Sequence, residues 1–172
     1  AQQHDPLTLA PTHARSFEPA ALASRESAAV ARFLMSLRDP DPRVVAAVHA
    51  AAAWFRRTAL HGFTYDVRTG RRDSTGAGPL WARMSEIGTD RPIFANRDGK
   101  ILYDHAELTD RASGYAWYDD NAASMLRAYE RWSARHPAPP APDTSPRRVD
   151  DGGLLAPARL AALPAAERAA WA

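Results

Sequence analysis

The chain has 172 residues and a formal net charge of only +2, enough for one domain with a real core, or a domain and a tail. It contains no cysteine, which excludes disulfides and thiolate metal sites and leaves the redox compartment open. No apolar run approaches the roughly 18 residues of a membrane span, and the evenly mixed charges lack the basic stripe of a duplex nucleic-acid binder.

Residues 1–22, AQQHDPLTLAPTHARSFEPAAL, carry Pro6, Pro11 and Pro19 and little periodicity. They read as an extended loop, long enough to be functional. A helix is predicted from about Ser24 to Leu37, with Val30, Phe33, Leu34 and Leu37 forming one apolar stripe. Pro40 and Pro42 stop it, since neither can donate to a continuing helix. Asp41 then reads as an N-cap with Pro42 in the first helical position. This second helix should reach about Ala59 and bury Val44, Val48, Ala51, Ala52 and Phe55, with Trp54 widening the face so that it packs on two sides.

Beyond it the pattern changes. Phe63, Tyr65 and Val67 alternate as in a short strand, and RTGRRDSTGAGP reads as a polar, glycine-rich loop. RPIFANRDGKILYD predicts a β-hairpin: Ile93 and Phe94, a turn over Asn96 to Gly99, then Ile101 to Tyr103. A last helix from Asn121 to about Arg135 carries Met125, Tyr129 and Trp132 on one face. Residues 136–149 read as a Pro-rich linker and 150–172 as the start of a following helical segment. The chain opens without methionine or a signal-peptide pattern and stops inside PAAERAAWA, so it is expected to be a fragment.

Few residues announce chemistry. His4 and Asp5 suit a hydrogen-bonded pair in a loop better than a proton relay, and no HxxxH or HxH spacing supports zinc. GxSxG, P-loop and GxGxxG patterns are absent. The arginines stand out instead. Lysine occurs once, at Lys100, so the other 21 basic side chains are guanidinium groups, which match carboxylates bidentately. Arg83, Arg91 and Arg97 fall within PLWARMSEIGTDRPIFANRDGKILYD, residues 79–104. If the hairpin folds toward Trp81, Arg83 and Arg97 converge beside an aromatic face, a geometry suited to an anionic sugar. The plain alternative pairs Arg83 with Glu86 and Arg97 with Asp98 on the surface, each worth under about 1 kcal/mol.

Three segments carry a resemblance. LASRESAAVARFLMSLRDPDPRVVAAVHAAAAWFRRT, GPLWARMSEIGTDRPIFANRDGKILYD and RASGYAWYDD, preceded by QHDPLTLAPTHARSFEP, resemble in that order the C-terminal half of the family ten polysaccharide lyases, which are pectate lyases. The resemblance covers about residues 2 to 135. It implies a mainly α fold, part of an (α/α)3 toroid of helical hairpins with a few short β-strands, and residues 1–135 as the C-terminal part of a catalytic domain. It also implies calcium-assisted β-elimination of polygalacturonate (pectate), with export to the periplasm or beyond the cell, where the polymer lies. On this resemblance Arg15 is the expected base and Arg83, Arg97 and Trp81 are expected on the substrate, with Arg91 structural. The calcium ligands are expected in the missing N-terminal half, so the chain alone should be weak or inactive. A non-catalytic module binding acidic polysaccharide through the same arginines is the alternative.

Overall fold

The computed structural model describes residues 3–76 and 78–139. The expected linker beyond residue 139 and the expected helical segment of 150–172 lie outside the described residues. Three α-helices are found: α1, Ser24–Met35; α2, Pro42–Arg57; and α3, Asn121–Ser133. Of the three, α2 starts on a side-chain cap. The Asp41 carboxylate accepts a 2.8 Å hydrogen bond from the Arg43 amide, and Pro42 follows at the first helical position, where a missing N–H costs nothing.

The three helices pack against one another around Ala28, Ala31, Val48, Ala52, Phe55, Met125, Tyr129 and Trp132. α3 buries the face that its spacing predicts, and α2 does so at Val48, Ala52 and Phe55, with Ala51 half-buried and Val45 packing on the core in place of Val44. α1 does not. It buries Ser24, Ala28 and Ala31, while Val30 and Phe33 are 56% and 65% exposed and Leu37, just past its end, is exposed too. Small residues on the inner side let α1 approach α2 and α3 closely; the larger apolar stripe lies roughly opposite on the 3.6-residue period.

Between α2 and α3 the chain builds short antiparallel pairs. Among the described residues there are five two-stranded sheets and no larger one. The mainly α expectation is therefore corrected: this is a mixed α/β fold and not a toroid of helical hairpins. The reason lies in residues 60–120, where apolar side chains alternate between glycine and Asx turns, a two-residue period that helices cannot use. Thr64–Asp66 pairs with Arg71–Asp73, so part of the segment read as a loop is the second arm of a hairpin. The expected hairpin forms with Phe94 opposite Leu102 and Ala95 opposite Ile101, and Gly99 takes the left-handed φ of 81° that its turn requires.

Two further pairings position the site. Trp81–Ala82 pairs with Tyr118–Asp119, and Met84–Ser85 pairs with Leu22–Ala23. Arg83 sits where the segment changes partners, its amide donating to Trp117 and its carbonyl accepting from Ser24. A second core of Phe17, Phe63, Met84, Ile93, Phe94, Trp117 and Tyr118 underlies these strands. His105 is buried there against Tyr65, Phe94 and Tyr118, and burial pushes its pKa down.

Candidate functional site

The early loop is held at both ends, by Gln3–His4 pairing with Pro11–Thr12 and by Leu22–Ala23 on Met84–Ser85. Its Asp5 carboxylate accepts from the Leu7 and Thr8 amides, which makes it a turn cap. Between the anchors, Arg15 to Glu18 form a tight turn in which the Glu18 amide donates to the Arg15 carbonyl at 2.8 Å. That turn puts both side chains on one side. Arg15 Nε donates to Glu18 Oε2 at 2.8 Å and Nη2 to Oε1 at 2.7 Å, a bidentate fork.

Glu18 is only 2% exposed, and the Tyr115 hydroxyl also donates to its Oε1 at 2.8 Å. Burial on its own raises a carboxyl pKa; here the donors from Arg15 and Tyr115 outweigh it and bring Glu18 down to about 2. The same hydrogen bond and charge push the Arg15 guanidinium above its ordinary value. Burial, reinforced by the hydrogen bond to Glu18, raises Tyr115 as well, so the phenol keeps its proton.

Around this turn the structure gathers more cations. Phe17 and Tyr115 form an edge-to-face pair with centroids 5.4 Å apart. The Arg15 guanidinium lies 5.0 Å from the Phe17 centroid, Arg111 lies 4.5 Å from Phe17 and 5.3 Å from Tyr115, and Arg83 lies 5.6 Å from Tyr115. Arg83 is largely buried, its side chain 11% exposed, and its Nη2 donates to Glu26 Oε1 at 2.7 Å. Its Nε and Glu26 Oε2 are buried without partners among the described residues, and so is Arg111 Nε. Three guanidinium groups thus stand with two carboxylates, and two guanidinium donors and one carboxylate oxygen are left unpaired among the described residues.

Arg97 joins from the hairpin. Its amide donates to the Asp110 carboxylate at 3.1 and 3.2 Å, and buried Asn96 accepts from the Thr109 and Asp110 amides. The turn is thereby tied to the residue preceding Arg111. On its other side Gly99 lies against the Ser16 carbonyl, 3.6 Å from where a Cβ would stand. The Arg97 side chain is exposed and makes no ion pair among the described residues.

Arg15 and Arg83 therefore share one aromatic pair, and the turn bearing Arg97 adjoins both segments of the cluster. The surface alternative for Arg83 is not seen: Glu86 accepts instead from the Tyr103 and Thr89 hydroxyls, while Arg91 covers the Tyr103 ring at 4.0 Å. Trp81 is placed elsewhere. It is 2% exposed in the helical core, with its indole N–H donating to the Phe55 carbonyl at 2.7 Å, so it offers no face to a sugar ring. The expectation of substrate stacking there is corrected, because the strand pairing with Tyr118–Asp119 turns Trp81 inward onto α2. Glu18, Arg111 and Tyr115 were not singled out. Nothing in the pattern distinguishes Arg111 from twenty other arginines, and Glu18 meets Tyr115 across 97 residues.

A separate recess of about 310 Å3, bordered by Trp54, Leu60, Trp81 and Pro92, holds Arg57 already forked by Asp90. Its one cation is spoken for. As for metals, no group of three or more histidines and carboxylates suited to holding an ion occurs among the described residues.

Residues 1–126 match the model of the family described as pectic acid lyase. A solved family 10 polysaccharide lyase from Cellvibrio cellulosa is similar, with 31% identity and a TM-score of 0.71, covering 76% of this chain and 42% of that one. A mutant of family 10 polysaccharide lyase from the same organism, in complex with trigalacturonic acid, matches at 31% identity and a TM-score of 0.70, covering 75% and 42%. The chain thus spans less than half the length of either structure. No curated protein matches it.

Proposed function

The chain belongs to the pectic acid lyase family, and on that premise we propose that it supplies part of the site of a pectate lyase cleaving polygalacturonate by β-elimination. The observation that carries this is the set of guanidinium groups of Arg15, Arg83 and Arg111 around Phe17 and Tyr115, beside the turn bearing Arg97.

The chemistry requires removal of the C5 proton, α to a uronate carboxylate. Guanidinium groups on that carboxylate draw off the charge developing in the transition state. Arg83, Arg97 and Arg111 take this role, since Arg83 and Arg111 have unused donors and Arg97 is exposed. Arg15 takes the proton. The C5–H electron pair becomes the C4–C5 double bond, and O4 leaves with the glycosidic pair and is protonated by water. At an unperturbed pKa of about 12.5, only about one guanidinium in 300 is neutral at pH 10, and the Glu18 fork lowers that fraction in the free protein. Activity should therefore rise toward alkaline pH.

Calcium is proposed as the cofactor on the family resemblance. The described residues do not by themselves fit it, so its ligands are assigned to the part of the domain outside this chain. That assignment agrees with the chain's 42% coverage of its structural relatives and with the uncovered apolar stripe of α1. The isolated chain is accordingly proposed to be weak or inactive, and the protein to act outside the cytoplasm, where pectate lies.

Ultraviolet absorbance of the unsaturated product tests the reading. Full-length protein with polygalacturonate and calcium should give rising absorbance that stops on adding chelator and is lost in Arg15→Ala. The Arg15 ion pair favours a second reading, a non-catalytic module for acidic polysaccharide. Retention on immobilised pectate without any absorbance change would establish that one instead.

A further inference from the structure

We infer that Glu18 is the positioning residue of Arg15, fixing the guanidine so that Nη1 receives the proton and holding the guanidinium that results. This rests on the lyase reading above. The fork commits Nε and Nη2 as donors, at 2.8 and 2.7 Å, and Nη1 has no hydrogen bond among the described residues. A neutral guanidine has a single imino nitrogen. Nε must stay an amine to donate, and Nη2 donates to the carboxylate better as an amine than as an imine, so the imino nitrogen is Nη1 and its lone pair points away from Glu18.

Glu18 cannot easily swing away. It is buried, its amide is tied to the Arg15 carbonyl, and Tyr115 donates to the oxygen that also receives Nη2. An ordinary surface pair three residues apart has no such anchoring and is worth little. The arrangement parallels the carboxylate that orients a catalytic imidazole and stabilises its charged form.

In the step, the C5–H bond breaks and an N–H bond forms at Nη1. The released pair makes the C4–C5 double bond, O4 departs with its own pair, and the new guanidinium closes an ion pair with Glu18. The carboxylate thus raises the proton affinity of the base in the transition state and, for the same reason, lowers the neutral population before it. Arg83 and Arg111 face the same aromatic pair and oppose a third cation at Arg15. The turn bearing Arg97, Asp98 and Lys100 lies against Ser16, and Tyr115 stays protonated across the range tested.

The test is the pH dependence of kcat and KM for the full-length protein between pH 6 and 11, read by product absorbance. In wild type kcat should still be rising at pH 11, whereas in Glu18→Gln the rise should bend over within the window, because the anion that holds the Arg15 pKa up is gone while Arg83 and Arg111 still oppose its charge. Its kcat at pH 11 should fall about 100-fold, the scale of a displaced general base, with KM little changed. Glu18→Asp, which keeps the charge, should recover most of the rate and retain the wild-type pH dependence. A Glu18→Gln profile that superimposes on wild type would overturn the inference. So would equal losses in both variants with an unmoved profile, which is the signature of a purely structural contact. Arg15→Ala distinguishes the base from its positioning residue. Full activity there removes the base and Glu18 together, whereas loss there alongside a wild-type-like Glu18→Gln removes only Glu18. Should Glu18→Gln fail to fold, Tyr115→Phe replaces it. Without the hydroxyl the carboxylate pairs more strongly with Arg15, so the profile should move to higher pH; no movement would overturn the inference.

Discussion

Glu18 illustrates how a single buried charge can govern a turn. Its donors hold the folded-state pKa at about 2, below the ordinary 4.5. The unfolded chain therefore binds the proton first as pH falls. The stabilisation is complete above about pH 4.5 and is lost on the way down to about 2, a swing of about 3 kcal/mol at 1.36 kcal/mol per unit. Urea titrations between pH 6 and 2.5 should show wild type losing about that much more stability than Glu18→Gln. Trp81 makes a different residue-scale prediction. Its indole N–H bonds the Phe55 carbonyl inside the core, so Trp81→Phe should lower the midpoint of unfolding by the worth of a buried hydrogen bond and a cavity, about 1–3 kcal/mol. Affinity for oligogalacturonate should stay within twofold. A variant with unchanged stability and lost binding would return Trp81 to the sugar.

At the scale of elements, local chemistry was legible wherever it acts through neighbours in sequence. The Asp41 cap, the hairpin turn at Gly99 and the inward face of α3 are all set within a few residues. Asp41→Ala should cost about 1 kcal/mol, read by thermal melts. α1 was harder, because which of two faces packs inward depends on what the helix meets. Ala28 and Ala31 won over Val30 and Phe33 because they permit a close crossing with α2 and α3. In the 172-residue chain, Phe33→Ser should change stability by less than about 0.5 kcal/mol and reduce binding of an apolar dye. In a longer protein whose remaining domain covers the stripe, as proposed, the same change should be markedly destabilising. Circular-dichroism melts of both forms decide this.

Over the whole molecule, the balance of helix and strand was misjudged. The long helices are conspicuous in sequence, whereas two-residue strands leave almost no periodic trace. The candidate site was legible only in part for a related reason. Its members come from residues 15–18, 83, 97 and 111–115, brought together by strand pairings and by one hydroxyl bond across 97 residues. No spacing rule spans such distances. Arg83 and Arg97 were singled out by the segment they share with Trp81 and the hairpin, Arg15 through family resemblance, and Arg111 and Glu18 only through their contacts. The site's electrostatic core is a set of guanidinium groups with donors unpaired among the described residues, held on an aromatic pair.

Calorimetric titration of the full-length protein with trigalacturonate, in wild type and Arg111→Ala, tests that core most directly. Removing one charged hydrogen-bonding partner is worth about 1.5–3 kcal/mol, so affinity should fall about 10- to 100-fold in the variant, and a neutral galactose trimer should bind neither protein. Equal affinity of wild type and Arg111→Ala for trigalacturonate, or comparable binding of the neutral trimer, would contradict the account.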